Sequence, residues 1–233
     1  MCINNKNEKM KKILIIAPHA DDEVLGCGGI MHKYAQAGHD VNVLIATSAS
    51  IGAPEFYKQT GIDSIRAQAK SAHQYLGNIN TFFLELPAPS LDTYPIYKSA
   101  NQISALLSEI KPTDLYIPHR GDIHKDHTHI FYAALVASRP INNCSVKRIY
   151  AYETLSETEW APPSADEAFI PNVFVNIENS ISHKLEAMSF FKSQLKEFPH
   201  PRSLKAIQSL AEYRGSTVSC NAAEAFMLIR EID

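Results

Sequence analysis

The chain has little that points to an extracytoplasmic life. It carries four cysteines in 233 residues, Cys2, Cys27, Cys144 and Cys220, with no CxxC pair and no regular spacing. That pattern excludes a disulfide framework and predicts free thiols in a reducing compartment. Long apolar runs are absent near the start: behind the polar, basic stretch Met1–Lys12, the stretch Ile13–Ala17 is too short for a signal-peptide core or a membrane span. Charge of one sign is lacking as well. The net charge of -3 offers no electrostatic case for nucleic acid or an anionic membrane. Internal repeats and low-complexity tracts do not occur. These absences predict a cytoplasmic protein with a small-molecule partner, no nucleic acid and no membrane insertion; self-association is left open.

What is present is an ordinary globular composition, 45% hydrophobic and 20% charged, in a length that suits one large domain. Short apolar strands alternate with amphipathic helices. Strands are expected at 13–17, 41–47, 79–86, 114–118 and 146–152. Helices are expected at 23–37, 63–75, 99–110 and 126–137. Asp63 or Ser64 is the expected cap of the second helix. Beyond a loop at 156–171 that holds the only tryptophan, Trp160, the pattern suggests a strand at 173–177. It continues with helices at 180–196 and 203–213 and a last strand at 225–229. The fold class expected is α/β, a doubly wound, mostly parallel sheet with helices on both faces. Residues 1–11 read as a flexible segment and 12–233 as a single domain.

Two clusters carry the chemistry. The first, Pro18-His19-Ala20-Asp21-Asp22-Glu23, follows the first strand. The second, His119-Arg120-Gly121-Asp122-Ile123-His124-Lys125-Asp126-His127, follows the fourth. Ligands in such sheets bind beyond the carboxyl ends of the strands, at the switch point where strands one and four are neighbours. Adjacent Asp21 and Asp22 repel each other, and a divalent cation relieves that repulsion. His19 and Asp22 are three apart, a spacing that shares one face of a turn, and His127 would complete a set of two imidazoles and one carboxylate. Catalytic zinc takes three such protein ligands and keeps one position open, although iron, cobalt or manganese would also fit. The competing reading is a helix-capping acidic pair. Asp21 is placed as a general base, or as a carboxylate that orients a ligand. Of His124 and His127, only one need bind the metal; the other can stabilise an oxyanion, with Asp126 holding it and raising its pKa. Gly26-Cys27-Gly28-Gly29 lies inside a helix and is not a dinucleotide fingerprint. Arg66 is a candidate for a substrate hydroxyl or phosphate, against the reading of a surface ion pair. Tyr57, Tyr94, Tyr97 and Trp160 are candidate sugar platforms.

With these residues the chain resembles the PIG-L/LmbE-type family of zinc-dependent N-deacetylases. The resemblance rests on Pro18–Glu23, on Leu25-Gly26-Cys27-Gly28-Gly29 and on His124-Lys125-Asp126-His127. Weaker echoes are Arg66, Lys184–Ala187, Ser193-Gln194, Arg214-Gly215 and Ala223–Phe226. It implies a Rossmann-like fold and hydrolysis of the N-acetyl group of an amino sugar of the N-acetylglucosamine type. By the same resemblance, zinc sits on His19, Asp22 and His127, Asp21 is the general base, and His124 is the electrostatic catalyst or acid with Asp126 as partner. Arg66 becomes a substrate contact. Ala20 and Lys125 replace prolines of the family pattern, and Asp122 stands where some members carry an oxyanion-holding tyrosine. The alternatives are a metal-dependent amidase on another acylated amine, such as a thiol-cofactor precursor, and a noncatalytic carbohydrate- or nucleotide-binding module.

Overall fold

A computed structural model describes residues 10–141 and 143–233. Up to residue 9, the expected flexible segment lies outside the described residues, as does Cys2. Seven strands form one sheet in the order β3-β2-β1-β4-β5-β7-β6. These are β1 Lys12–Ala17, β2 Asp40–Ser48, β3 Asn80–Pro87, β4 Asp114–Pro118, β5 Arg148–Tyr152, β6 Val173–Asn176 and β7 Ala223–Glu231. Strands β3, β2, β1, β4 and β5 pair in parallel, whereas β7 runs antiparallel to both β5 and β6. Strand β1 shows why the sheet is sandwiched. Its alternate residues Ile13 and Ile15 enter one buried cluster and Leu14 and Ile16 the other, so both faces are apolar and both must be covered.

Helices α1 Asp22–Gln36, α3 Gln59–Gly77, α6 Ile181–Ser189 and α7 Leu204–Ser216 cover the first face; α4 Ile96–Ile110 and α5 Lys125–Ala137 cover the second. A four-residue helix, α2 Ala49–Gly52, and a 3-10 turn at Leu91–Thr93 are additions that no strong local pattern announces. Helix α3 starts at Gln59, not at a capping Asp63: its N-cap, Lys58, makes no side-chain cap bond. Asp63 instead accepts from Gln59 Nε2 at 2.9 Å on the helix surface. The helix expected over 180–196 ends at Ser189, and the chain then turns back toward the sheet's carboxyl edge.

Helix α1 lies unusually close to its neighbours. A Cβ at Gly26 would collide with the Tyr152 ring and one at Gly29 with Ile177. The glycines therefore serve packing, as their position inside the helix predicts. The buried pair Lys184–Glu224, 2.6 Å apart, is wedged into the same helix. Lys184 Nζ donates to Leu25 O at 2.7 Å, and Glu224 accepts from the Gly29 and Ile30 N–H groups at 2.8 Å each. No described helix is long and apolar enough to cross a membrane.

Candidate active site

Strands β1 and β4 are hydrogen-bonded neighbours, so the two sequence clusters meet at their carboxyl ends. The first cluster turns directly into α1. Asp21 is its N-cap residue, at φ 127°, a region that side-chain-bearing residues rarely enter. Asp22 and Glu23 occupy the first helical turn, where the helix dipole favours negative charge. Glu23 is fully employed in the scaffold. It accepts from Asp21 N–H at 3.0 Å and lies 3.0 Å from His73 Nε2, whose other nitrogen is 2.7 Å from Thr81 Oγ1.

His19, Asp22 and His127 converge. Asp22 Oδ2 is 3.2 Å from His19 Nδ1 and 3.2 Å from His127 Nε2. Ligands about 2.0–2.1 Å from a tetrahedral ion sit about 3.3 Å apart, which matches. Both Asp22 Oδ1 and His127 Nε2 are buried without a hydrogen-bond partner. Two carboxylates buttress the rings from behind: His127 Nδ1 lies 2.8 Å from Asp122 Oδ2, and His19 Nε2 lies 3.1 Å from Asp126 Oδ2. Asp122 also accepts from Thr158 Oγ1 at 2.6 Å. A carboxylate behind each imidazole fixes its tautomer and aims the remaining lone pair forward, as in metal sites. The residues therefore fit a divalent cation. The electrostatics agree in sign. Burial opposes charge on both rings, yet hydrogen bonds to Asp126 and Asp22 push His19 up to about 9. Asp22 and Asp122 likewise push His127 up to about 10 against burial. Burial works against ionised Asp22 too, but His127 and His19 hold it well below the usual carboxylate range.

A second group, His19, His124 and Asp126, also has its ligating atoms within 4.8 Å of one another. It shares His19 with the first, and its other imidazole is already engaged: His124 Nδ1 accepts from Asp126 N–H at 3.2 Å as the N-cap of α5. Here the structure differs from the sequence expectation. Asp126 spends its carboxylate on His19, and its nearest oxygen is 3.9 Å from His124 Nδ1. Burial and then the neighbouring charge of His19 hold His124 down to about 4 instead of raising it. With Nδ1 accepting, the neutral ring carries its proton on Nε2.

Asp21 lies buried beside these groups, its carboxyl raised by burial and by Asp22, with Arg202 pulling the other way. His19, Asp21 and His124 open onto a cavity of about 600 Å³. Arg66 lines this cavity from α3, with its guanidinium 4.9 Å from the Phe83 ring centroid and one nitrogen 2.8 Å from Glu85 Oε1. Tyr57 lines it too; Tyr94, Tyr97 and Trp160 do not. Glu157 and Arg202, two charged lining residues, escaped sequence reasoning, while Gln194, which also lines the cavity, entered it only as part of a weak family echo. Nothing local singles out Arg202.

The family model described as "PIG-L: GlcNAc-PI de-N-acetylase" matches residues 14–138, which include both His/Asp clusters. The chain belongs to the PIG-L family. Among its PIG-L relatives is the uncharacterized deacetylase YaiS of Escherichia coli (strain K12), 31% identical over 79% of this chain and 92% of that protein. The diacetylchitobiose deacetylase of Thermococcus kodakarensis is 24% identical, covering 97% of this chain and 86% of its own. Among solved structures, the N,N'-diacetylchitobiose deacetylase from Pyrococcus horikoshii, complexed with its inhibitor MPG, superposes with a TM-score of 0.76 at 18% identity. That match covers 98% of this chain and 87% of the other. The PIG-L match ends at residue 138, so Glu157, Gln194 and Arg202 complete the site from outside it.

Proposed function

We propose that this protein is a metal-dependent hydrolase that removes the N-acetyl group of an amino sugar and releases acetate. The observation that carries this reading is the pair of carboxylate-buttressed imidazoles. With Asp22 they leave buried, unpartnered ligand atoms beside Asp21 at the mouth of the cavity. His19, Asp22 and His127 would hold the ion, and zinc is the metal proposed for two imidazoles and one carboxylate. When bound, the ion supplies a Lewis acid that polarises an amide carbonyl and acidifies water.

The remaining chemistry belongs to the chain. Asp21 accepts a proton from the attacking water. His124 donates Nε2–H to the oxygen that becomes negative as the carbonyl carbon turns tetrahedral. The proton held by Asp21 then goes to the departing amine. Asp126 and Asp122 keep His19 and His127 in register. Arg66 and Tyr57 meet the sugar on the cavity wall, and Glu85 steadies the guanidinium. The free thiols of Cys27, Cys144 and Cys220 fit a reducing cytoplasm as the compartment.

The test is acetate release by purified, zinc-loaded protein from N-acetylglucosamine, N,N'-diacetylchitobiose and larger N-acetylglucosaminides. Turnover of at least one of them is expected. His124→Ala should lower kcat by roughly 10²–10³ while retaining the metal, as loss of one oxyanion donor does. His19→Ala should lose both. Absence of acetate from every substrate, or full turnover by His124→Ala, overturns the reading.

A further inference from the structure

We propose that Arg202 is the positioning residue for Asp21, linking the proton acceptor to two loops that lie outside the PIG-L match. This inference rests on the assignment of Asp21 made above. Asp21 makes no side-chain cap bond to its own helix. Its anchor is Arg202, which donates from one terminal nitrogen to Asp21 Oδ2 at 2.9 Å. The arginine is itself held on three other sides. Nε donates to Ser156 Oγ at 2.8 Å, the nitrogen that meets Asp21 also donates to Gln194 Oε1 at 3.1 Å, and the second terminal nitrogen donates to Glu157 Oε1 at 3.1 Å. Ser156 and Glu157 follow β5, and Gln194 lies in the turns between α6 and α7.

A rigid planar fork tied to both loops sets the plane and the distance of the Asp21 carboxylate. Without it, the charge of neighbouring Asp22 would turn that side chain away from the ligand set. Anchoring Oδ2 leaves Oδ1 as the oxygen that would take the proton. Four of the five N–H donors of Arg202 are already committed in this way. Its work is therefore on Asp21 and not on an anionic group of the substrate. A displacement of about 1 Å at such a group costs on the order of 10²-fold in rate.

The experiment is a double-mutant cycle on the zinc-loaded protein with N,N'-diacetylchitobiose as substrate, measuring kcat, KM and bound zinc. Arg202→Gln should lower kcat at least tenfold, with KM and zinc content within twofold of the parent. On an Asp21→Asn background the same change should lower kcat by less than twofold, because Arg202 acts through that carboxylate. Should Arg202→Gln fail to fold, Ser156→Ala loosens the guanidinium without removing it. It should produce a smaller fall in kcat that likewise vanishes on the Asp21→Asn background. The inference is overturned if kcat stays within twofold, if the loss appears in KM, or if the two losses multiply. Full activity of Asp21→Asn alone removes the proton-acceptor assignment as well. Loss in Asp21→Asn with none in Arg202→Gln removes only the role of Arg202.

Discussion

Asp21 combines a backbone conformation that residues with a Cβ avoid with a carboxylate withdrawn from water. Strain of this kind costs of the order of 1–3 kcal/mol and persists where the surroundings over-determine it. Glycine is usually less stable than alanine at an ordinary site because its unfolded chain has more freedom to lose. Here the order should reverse: Asp21→Gly should exceed Asp21→Ala in unfolding free energy by about 1 kcal/mol. Both variants lack the carboxylate, so the difference isolates the backbone. Urea titration checks it, and equal midpoints would mean that position 21 is relaxed. At this scale the closeness of His19 and Asp22 was legible. A spacing of three between His19 and Asp22 puts two donors on one turn whatever the rest of the chain does. The partner of Asp126 was not legible, because a side-chain torsion decides whether it turns to His19 or His124. Arg202 lies 181 positions from Asp21, and only the folded chain brings them together.

Helix α1 is stabilised by groups that belong to other elements. Lys184 from α6 and Glu224 from β7 take up hydrogen-bonding groups of Leu25, Gly29 and Ile30 in its middle. Both side chains are nearly inaccessible, 5% and 4% exposed. Lys184→Met strands a buried carboxylate, and breaking such a pair costs about 3–5 kcal/mol. The double variant Lys184→Met/Glu224→Met should recover part of that loss, since apolar side chains of similar volume in place of a buried ion pair are often neutral or stabilising. Unfolding midpoints of the three proteins decide the matter, and a single variant as stable as the parent would show that the pair contributes nothing. The alternation of strands and helices was readable because each parallel strand is a short apolar run. The end of α6 was not. Its apolar pattern continues to Phe191, which is buried, while the backbone leaves the helix to carry Arg202 back to the sheet edge.

Across the whole molecule, the ligands of the proposed ion come from two βα junctions that are in place only when the sheet is assembled. Metal binding and folding are therefore linked. At a free concentration one hundred times Kd, a ligand specific to the folded state adds about 2.7 kcal/mol. In a chain of this size each kcal/mol moves Tm by about 2–4 °C. Chelator-treated protein should therefore melt about 5–10 °C below the zinc-saturated form in a calorimetric scan. His19→Ala should abolish the difference; a shift that survives in that variant would place the metal elsewhere. That β1 and β4 adjoin followed from the alternating pattern. That β7 would insert antiparallel between β5 and β6 did not, because its apolar residues suit either direction equally.

This insertion bears on the order of synthesis. As a nascent chain leaves the ribosome, residues 19, 22 and 127 have all emerged while 202 is still to be translated. Strand β6 must then wait for β7, its one strand neighbour among the described residues, to be made. An interrupted translation product that stops short of residue 202 would thus carry every proposed ligand of the ion but lack the arginine that anchors its proton acceptor. It would also bear an open strand edge, the feature by which such fragments find one another.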